Sequence, residues 1–187
     1  DGRESYALGV VRNILNEAKP DFVSITVPSD DTPVSEQTWQ NAAADIGAYL
    51  WQGQDVAFIT EGDPMLYSEF SYLLASVHTA FPDLSIEVVP GVSSIMAAAG
   101  SAGVPLATHG QRLAILPTVY GIDDLREAIT KYDTIVLMEV NRALLDALAN
   151  LENLGLAGKA IYVRRVTTQR EAVVLQRVCG DKTDWEI

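Results

Sequence analysis

Two short loops carry the residues whose types and spacing suit ligand binding. The first, residues 60–68, reads Thr-Glu-Gly-Asp-Pro-Met-Leu-Tyr-Ser, and the second, residues 90–94, reads Pro-Gly-Val-Ser-Ser. Each follows a continuous apolar run and precedes a helical pattern. In an open α/β sheet, ligands bind beyond the carboxyl ends of the strands, where glycine allows close backbone approach and helix N-termini offer free N–H groups. The pair of loops therefore predicts a ligand cleft.

The polar side chains of these loops each have a second, purely structural explanation. Asp63 could accept hydrogen bonds from a ligand N–H or hydroxyl group, or its carboxylate could bond the backbone of its own turn. Ser93 and Ser94 either contact a ligand or cap the following helix, a role worth about 1 kcal/mol. Taken one residue at a time, the loops leave both explanations open.

Several common functional motifs are absent from this sequence. It has neither Gly-x-Gly-x-x-Gly nor Gly-x-x-x-x-Gly-Lys-Ser/Thr, the loops typical of dinucleotide and nucleoside triphosphate sites. No Gly-x-Ser-x-Gly elbow accompanies His78 or His109, which argues against a Ser-His-Asp hydrolase. The single cysteine, Cys179, and the histidines lack metal-ligand spacing, so we expect no metal.

The composition favours a globular protein that binds neither nucleic acid nor a membrane. The chain has 187 residues, 48% of them hydrophobic, enough for one large domain or two small ones with real cores. Its formal net charge of −12 would repel a nucleic-acid backbone. Residues 1–5 lack the pattern of a signal peptide, and one cysteine cannot form an internal disulfide. We therefore expect a cytoplasmic protein.

Hydrophobic periodicity predicts the elements that position the two loops. Trp39, Ala43 and Ile46 share one face of a helix that begins near Ser35. Helices are expected at residues 4–16, 35–52, 68–81, 93–102, 123–131 and 141–155. Strands are expected at residues 22–27, 55–60, 85–89, 112–116, 134–140, 160–163 and 172–175. The alternation of strand and helix predicts an α/β fold whose first sheet is parallel.

A linker divides this pattern into two predicted domains. Residues 103–111, Gly-Val-Pro-Leu-Ala-Thr-His-Gly-Gln, interrupt the alternation with two glycines and a proline. We place the boundary within this segment. The result is an N-terminal α/β domain of residues 1–106 and a C-terminal α/β domain of residues 107–187.

In combination, these motifs resemble the tetrapyrrole methylases, S-adenosylmethionine-dependent enzymes of corrin and sirohaem synthesis. The resemblance is carried by residues 61–68, 90–94, 103–106 and 136–140, in that order along the chain. Within the family, the segment 62–73, Gly-Asp-Pro-Met-Leu-Tyr-Ser-Glu-Phe-Ser-Tyr-Leu, is similar to the precorrin-2 C-20 methyltransferases. Residues 2–5 and 116–121 also resemble that subgroup.

The resemblance implies a fold, a reaction and a set of contacts. The fold has two α/β domains, the first with a mostly parallel sheet and the second with a mixed sheet, and an active site between them. The reaction is methyl transfer from S-adenosylmethionine to C-20 of precorrin-2 or its cobalt-containing counterpart in cobalamin biosynthesis, by a homodimer. The implied cofactor contacts are Gly62, Asp63, Leu66, Ser93, Ser94, Met138 and Thr167. Where the family often has Arg-Gly-Thr, this chain has Arg165-Val166-Thr167.

Other parts of the family pattern are left open or are not matched. Family members begin with a further strand and a loop of the form Gly-x-Gly-Pro-Gly-Asp and end with further strands, so a shortened chain is expected. A general base is not identified, with Tyr67, Tyr72 and Glu139 as candidates. The arginines expected to meet substrate carboxylates are Arg3, Arg112, Arg142, Arg164, Arg165 and Arg170. Two alternatives remain: another tetrapyrrole methylase, such as a uroporphyrinogen III or precorrin-4 enzyme, and a non-catalytic module or fragment of this fold.

Overall fold

The chain divides into two compact units. The computed structural model describes residues 6–15, 20–26, 34–117, 122–138 and 159–176. Contacts between Cα atoms separate a first unit, Asp1–Ser93, from a second, Ser94–Ile187. This division falls before the helix at residues 94–102, whereas the predicted boundary at residues 106 and 107 falls after it. The predicted boundary itself stays a prediction.

Three helices are described in the first unit: α1 (Tyr6–Ile14), α2 (Glu36–Trp51) and α3 (Phe70–Ala80). The start of α2 is set by Ser35, whose Oγ accepts a hydrogen bond from the Thr38 backbone N–H at 3.3 Å. Its end is followed by Gly53, whose φ of +76° lies in the left-handed region that glycine adopts without steric cost. Both boundaries agree with the sequence prediction to within a residue or two.

The core of the first unit lies between α2 and α3. Trp39, Ala42 and Ala43 of α2 pack against Leu73 and Val77 of α3, and all five are buried. The residues packed around this cluster are Ile25, Val34, Ile46, Phe81, Leu84 and Ile86. The apolar residues that recur at helical spacing in α2 therefore face the core, as the periodicity predicts.

The described residues of the strands predicted in the first unit form no strand. Residues 22–26, 54–60 and 84–93 belong to neither a helix nor a strand. Phe58 and Val89, for example, remain 36% and 70% exposed. An apolar run indicates that a segment favours burial, but a ladder also needs a neighbouring backbone at hydrogen-bonding distance. The apolar run does not specify which backbone will lie beside it.

The second unit contains both helices and paired strands. Its described elements are α4 (Ser94–Ala102), β1 (Leu113–Leu116), α5 (Ile122–Lys131), β2 (Thr134–Leu137), β3 (Ala160–Arg164) and β4 (Ala172–Gln176). β1 and β2 are parallel, with Leu113 opposite Thr134 and Leu116 opposite Leu137. β3 and β4 are antiparallel and form a hairpin against which α4 packs. In the described residues these are two separate two-stranded sheets, one parallel and one antiparallel, so the single mixed sheet implied by the family resemblance stays a prediction.

Within this unit, β1, α5 and β2 form the helical crossover that a parallel strand pair requires. Ala114 of β1 and Leu125 and Ala128 of α5 are buried. The predicted helix at residues 141–155 and the end of the predicted strand at residues 134–140 lie outside the described residues. In the described part of the chain, no helix is long and apolar enough to cross a membrane.

Candidate functional site

The first loop, residues 60–68, turns around Asp63. Its Oδ1 accepts a hydrogen bond from the Met65 backbone N–H at 2.8 Å, and its carbonyl oxygen accepts one from the Leu66 N–H at 3.2 Å. Gly62 has a φ of +67° and Tyr67 a φ of +50°. A non-glycine residue held in the left-handed region costs on the order of 1–3 kcal/mol. The loop is therefore held in a strained path by its own hydrogen bonds.

Ser68 connects this loop to α3. Its Oγ accepts a hydrogen bond from the Phe70 N–H at 3.2 Å and lies 3.2 Å from the Thr60 Oγ1. Its carbonyl oxygen accepts a hydrogen bond from the Ser71 Oγ at 3.1 Å. The side chain of Ser68 thus links Thr60, the first residue of the loop, to the first turn of α3.

The second loop is bound to the first by Asp63 and by a close backbone contact. The Gly91 N–H donates a hydrogen bond to the Asp63 Oδ2 at 3.0 Å. A Cβ atom built on Gly91 would lie only 2.1 Å from the Gly62 carbonyl oxygen, so a side chain at residue 91 would collide with the first loop. We call Gly62, Asp63 and Gly91 the loop junction.

Exposed apolar side chains flank the loop junction along the chain. Met65, Tyr67 and Val92 are 60%, 55% and 72% exposed. These exposed apolar side chains lie in the same loops as the backbone N–H and carbonyl groups of the loop junction. A ligand with an apolar body and a few polar groups is the chemistry that this surface suits.

The predicted cofactor contacts fall in both units. Gly62, Asp63 and Leu66 lie together in the first loop, and Ser93, a half-buried residue, ends the first unit two residues after Gly91. Ser94 begins α4 in the second unit. The sequence prediction omitted Gly91, although the Pro-Gly pair that follows an apolar run indicated a tight backbone position there.

Met138 and Thr167 lie at the ends of strands in the second unit. Met138 directly follows β2, is half-buried, and its N–H donates a hydrogen bond to the Leu116 carbonyl oxygen at 3.0 Å. Thr167 lies in the turn between β3 and β4 and its N–H donates a hydrogen bond to the Glu171 carboxylate. The left-handed φ values of this turn are at Arg165, +49°, and Thr167, +64°. Strain thus falls on the residues either side of Val166, which stands where the family often has glycine.

The other candidate groups are only partly described. Tyr67 and Tyr72 are exposed, and the Tyr72 ring stacks on that of Trp39 with centroids 6.1 Å apart. Arg112 lies 3.9 Å from the Asp133 carboxylate through its Nε. Glu139, Arg3 and Arg142 lie outside the described residues. Among those that are described, no group of three or more His, Cys, Asp or Glu residues is arranged to hold a metal ion.

Comparison with known proteins places this geometry in context. The sequence model of the family described as Tetrapyrrole (Corrin/Porphyrin) Methylases matches residues 2–178. The chain is 33% identical over 170 residues to the cobalt-precorrin-2 C(20)-methyltransferase of Salmonella typhimurium, covering 91% of this chain and 70% of that protein. It is 29% identical over 183 residues to the precorrin-2 C(20)-methyltransferase of a Sinorhizobium species, covering 92% of this chain and 72% of that protein.

A solved structure has the same fold. The crystal structure of the methyltransferase CobJ matches 80% of this chain and 66% of its own length with a TM-score of 0.56 and 21% sequence identity. At that identity the likeness establishes the fold alone. The α/β class predicted from the sequence is confirmed.

Proposed function

Because this chain belongs to the tetrapyrrole methylase family, we propose that it transfers a methyl group from S-adenosylmethionine to C-20 of precorrin-2 or of its cobalt-containing counterpart, in cobalamin biosynthesis. The observation that carries the proposal is the 33% identity to a cobalt-precorrin-2 C(20)-methyltransferase along 91% of this chain. The loop junction supports it because the motif residues of the two loops meet in the fold.

The proposed donor site consists of Gly62, Asp63, Leu66, Ser93, Ser94, Met138 and Thr167. At the loop junction, Gly62 and Gly91 bring two backbones together without intervening side chains. Backbone N–H and carbonyl groups of these loops suit the polar parts of S-adenosylmethionine. Met65 and Val92 offer exposed apolar surface, and Met138 is proposed to pack on the adenine ring.

The proposed reaction needs little from an individual catalytic side chain. A carbon of the macrocycle supplies the electron pair for the new C–C bond, and the pair of the breaking S–CH3 bond remains on sulfur as a neutral thioether. The proton on the methylated carbon leaves afterwards. Holding the reacting atoms about 3–3.5 Å apart and excluding water should provide most of the catalysis. Loops held by several hydrogen bonds suit this task.

Two further proposals follow from family membership. The chain forms a homodimer, and it acts in the cytoplasm on a soluble tetrapyrrole. Sedimentation of the purified protein would test the first, with a single monomeric species as the contrary result. Fractionation of cells that express the natural gene would test the second.

The decisive experiment is turnover with identified substrates. The protein is incubated with S-adenosylmethionine and, separately, with precorrin-2, cobalt-factor II or uroporphyrinogen III. We expect the first or second of these to gain one methyl group by mass spectrometry, and NMR to locate that group at C-20. Methylation of uroporphyrinogen III instead would assign the protein to a different reaction of the family.

Donor binding separates an inactive chain from a wrong assignment. Calorimetry should give saturable binding of S-adenosylhomocysteine, the product of the donor. Binding without turnover on any of the three substrates would reject the proposed acceptor and retain the donor. Absence of binding by a folded protein would support a non-catalytic module.

A further inference from the structure

Asp63 occupies a central place in the loop junction, and the contacts there indicate how it acts. Resting on the proposed function, we infer that Asp63 is a positioning residue. Its carboxylate fixes the separation of the two donor-binding loops, and the donor is held by the loop backbone and the apolar side chains beside it. This role differs from direct contact between the carboxylate and the donor, which the family resemblance implies.

Both carboxylate oxygens of Asp63 already accept hydrogen bonds within the protein. Oδ1 accepts from the Met65 N–H at 2.8 Å, inside the first loop. Oδ2 accepts from the Gly91 N–H at 3.0 Å, in the second loop and 28 residues further along the chain. Hydrogen bonds to an ionised carboxylate are about twice as strong as those between neutral groups. One side chain therefore shapes the first loop and binds it to the second.

The backbone contact at Gly91 sets the same separation from the other side. A Cβ at residue 91 would lie 2.1 Å from the Gly62 carbonyl oxygen and 3.0 Å from its carbonyl carbon. Gly62 itself has a left-handed φ of +67°. The hydrogen bonds hold the loops together, while the contact stops them from coming closer. Together they leave the loops a narrow range of separations.

A substitution that moves the two loops apart should weaken donor binding, whether it is made at Asp63 in the first loop or at Gly91 in the second. Asp63→Ala removes both acceptors, and Gly91→Ala forces the loops apart through the added methyl group. If both changes act through one separation, their effects on binding overlap and do not multiply. If the Asp63 carboxylate instead contacts the donor, its loss and the change at Gly91 act independently.

The charge of the donor gives a second way to distinguish a positioning role of Asp63 from direct contact with the donor. S-adenosylmethionine carries a positive sulfonium, whereas S-adenosylhomocysteine carries a neutral thioether at the same position. A carboxylate near the sulfonium favours the cation, so its loss would weaken the first ligand selectively. A carboxylate that positions the loops affects both ligands equally.

The experiment is calorimetric titration of both ligands into the parent, Asp63→Asn, Asp63→Ala, Gly91→Ala and the Asp63→Ala/Gly91→Ala double variant. We expect Asp63→Ala to raise both dissociation constants about tenfold or more, because small displacements at a binding site have large effects. Asp63→Asn should cost less, since its amide oxygen can still accept one of the two bonds. The double variant should bind about as weakly as Asp63→Ala alone.

Asp83 provides a matched control. It is an exposed residue in the turn that follows α3, and Asp83→Asn changes the net charge by the same amount as Asp63→Asn. Its dissociation constants should equal those of the parent. Hydrogen exchange supplies a ligand-free measurement, in which the Gly91 amide should exchange faster in Asp63→Ala than in the parent. Thermal melting followed by circular dichroism verifies that each variant is folded. If Asp63→Ala does not fold, Asp63→Asn replaces it in the comparison of dissociation constants.

The outcomes separate the two proposals. If the parent binds neither ligand, the proposed function fails, and the positioning role that rests on it fails too. If the parent binds both ligands, three results overturn the positioning role alone: losses that multiply in the double variant, a selective loss of S-adenosylmethionine binding in Asp63→Asn, or unchanged binding by Asp63→Ala.

Discussion

Replacing Gly47 by alanine sets two opposing effects against each other in the core of the first unit. Gly47 lies buried within α2, and alanine is favoured over glycine in a helix interior by about 1 kcal/mol. A Cβ at this position, however, would lie 2.3 Å from the Phe81 Cζ and 2.9 Å from its Cε2. Carbon atoms in favourable contact are about 3.5–4.0 Å apart. The Phe81 ring must therefore move by roughly 1 Å or more.

The ring cannot make this movement freely. Phe81 packs against the cluster formed by α2 and α3, and its backbone N–H is bonded to the Val77 carbonyl oxygen at 2.8 Å. Added volume in a packed core costs about 1–3 kcal/mol. After subtraction of the helix gain of about 1 kcal/mol, we expect Gly47→Ala to lower the free energy of unfolding by about 1 kcal/mol.

Urea unfolding followed by tryptophan fluorescence measures this change, because Trp39 lies in the same cluster. The control is Gly9→Ala in the middle of α1, where an added Cβ meets no atom within 4 Å. It should raise the free energy of unfolding. Gly47→Ala should also cost less in a Phe81→Leu background, where the smaller side chain leaves room. A Gly47→Ala protein as stabilised as Gly9→Ala would refute the packing argument.

Three further changes test other parts of the structure. Leu73→Ala should cost about 2–5 kcal/mol in urea unfolding because Leu73 is buried, whereas Leu74→Ala, at a half-buried position of the same helix, should cost less. Ser35→Ala should cost about 0.5–2 kcal/mol through loss of the α2 cap, and Ser35→Thr should largely restore it. On α5, the hydrogen bond and charge of Lys131 lower the pKa of Glu127 below its ordinary value of 4.5. The folded state therefore gains stability from this group above pH 4.5 and loses it as pH falls through the lowered pKa. In Lys131→Met, an NMR titration should find the pKa of Glu127 back near 4.5.

The sequence predicted the helices of the first unit because their signals are local. A cap at Ser35, apolar residues three and four apart, and a glycine after the last turn all act within a few residues of one another. The strands of the second unit were predicted for a related reason. Each is a short apolar run bounded by turn residues, which is a local signal, and in the structure each run pairs with its neighbour in the chain.

The apolar runs at residues 55–60 and 85–89 are the contrasting case. They have the composition of buried strands, yet the structure describes neither as a strand. Like β1 and β2, these runs lie on either side of a helix, here α3, so their order along the chain does not explain the difference. A ladder also needs two backbones at hydrogen-bonding distance, and apolar composition does not specify that distance. The pattern therefore predicted neither the burial nor the pairing that the structure gives these runs, since residues 55–59, for example, are exposed.

The candidate site divides in the same way. The sequence alone identified both loops, the turn-forming residues and the family, because motif spacing is a property of the linear chain. Only the tertiary structure decided that the Asp63 carboxylate binds the Gly91 N–H, 28 residues away, and that residue 91 must be glycine to clear the Gly62 carbonyl oxygen. The path of the chain between two loops sets the distance between them, and that path depends on packing throughout the unit.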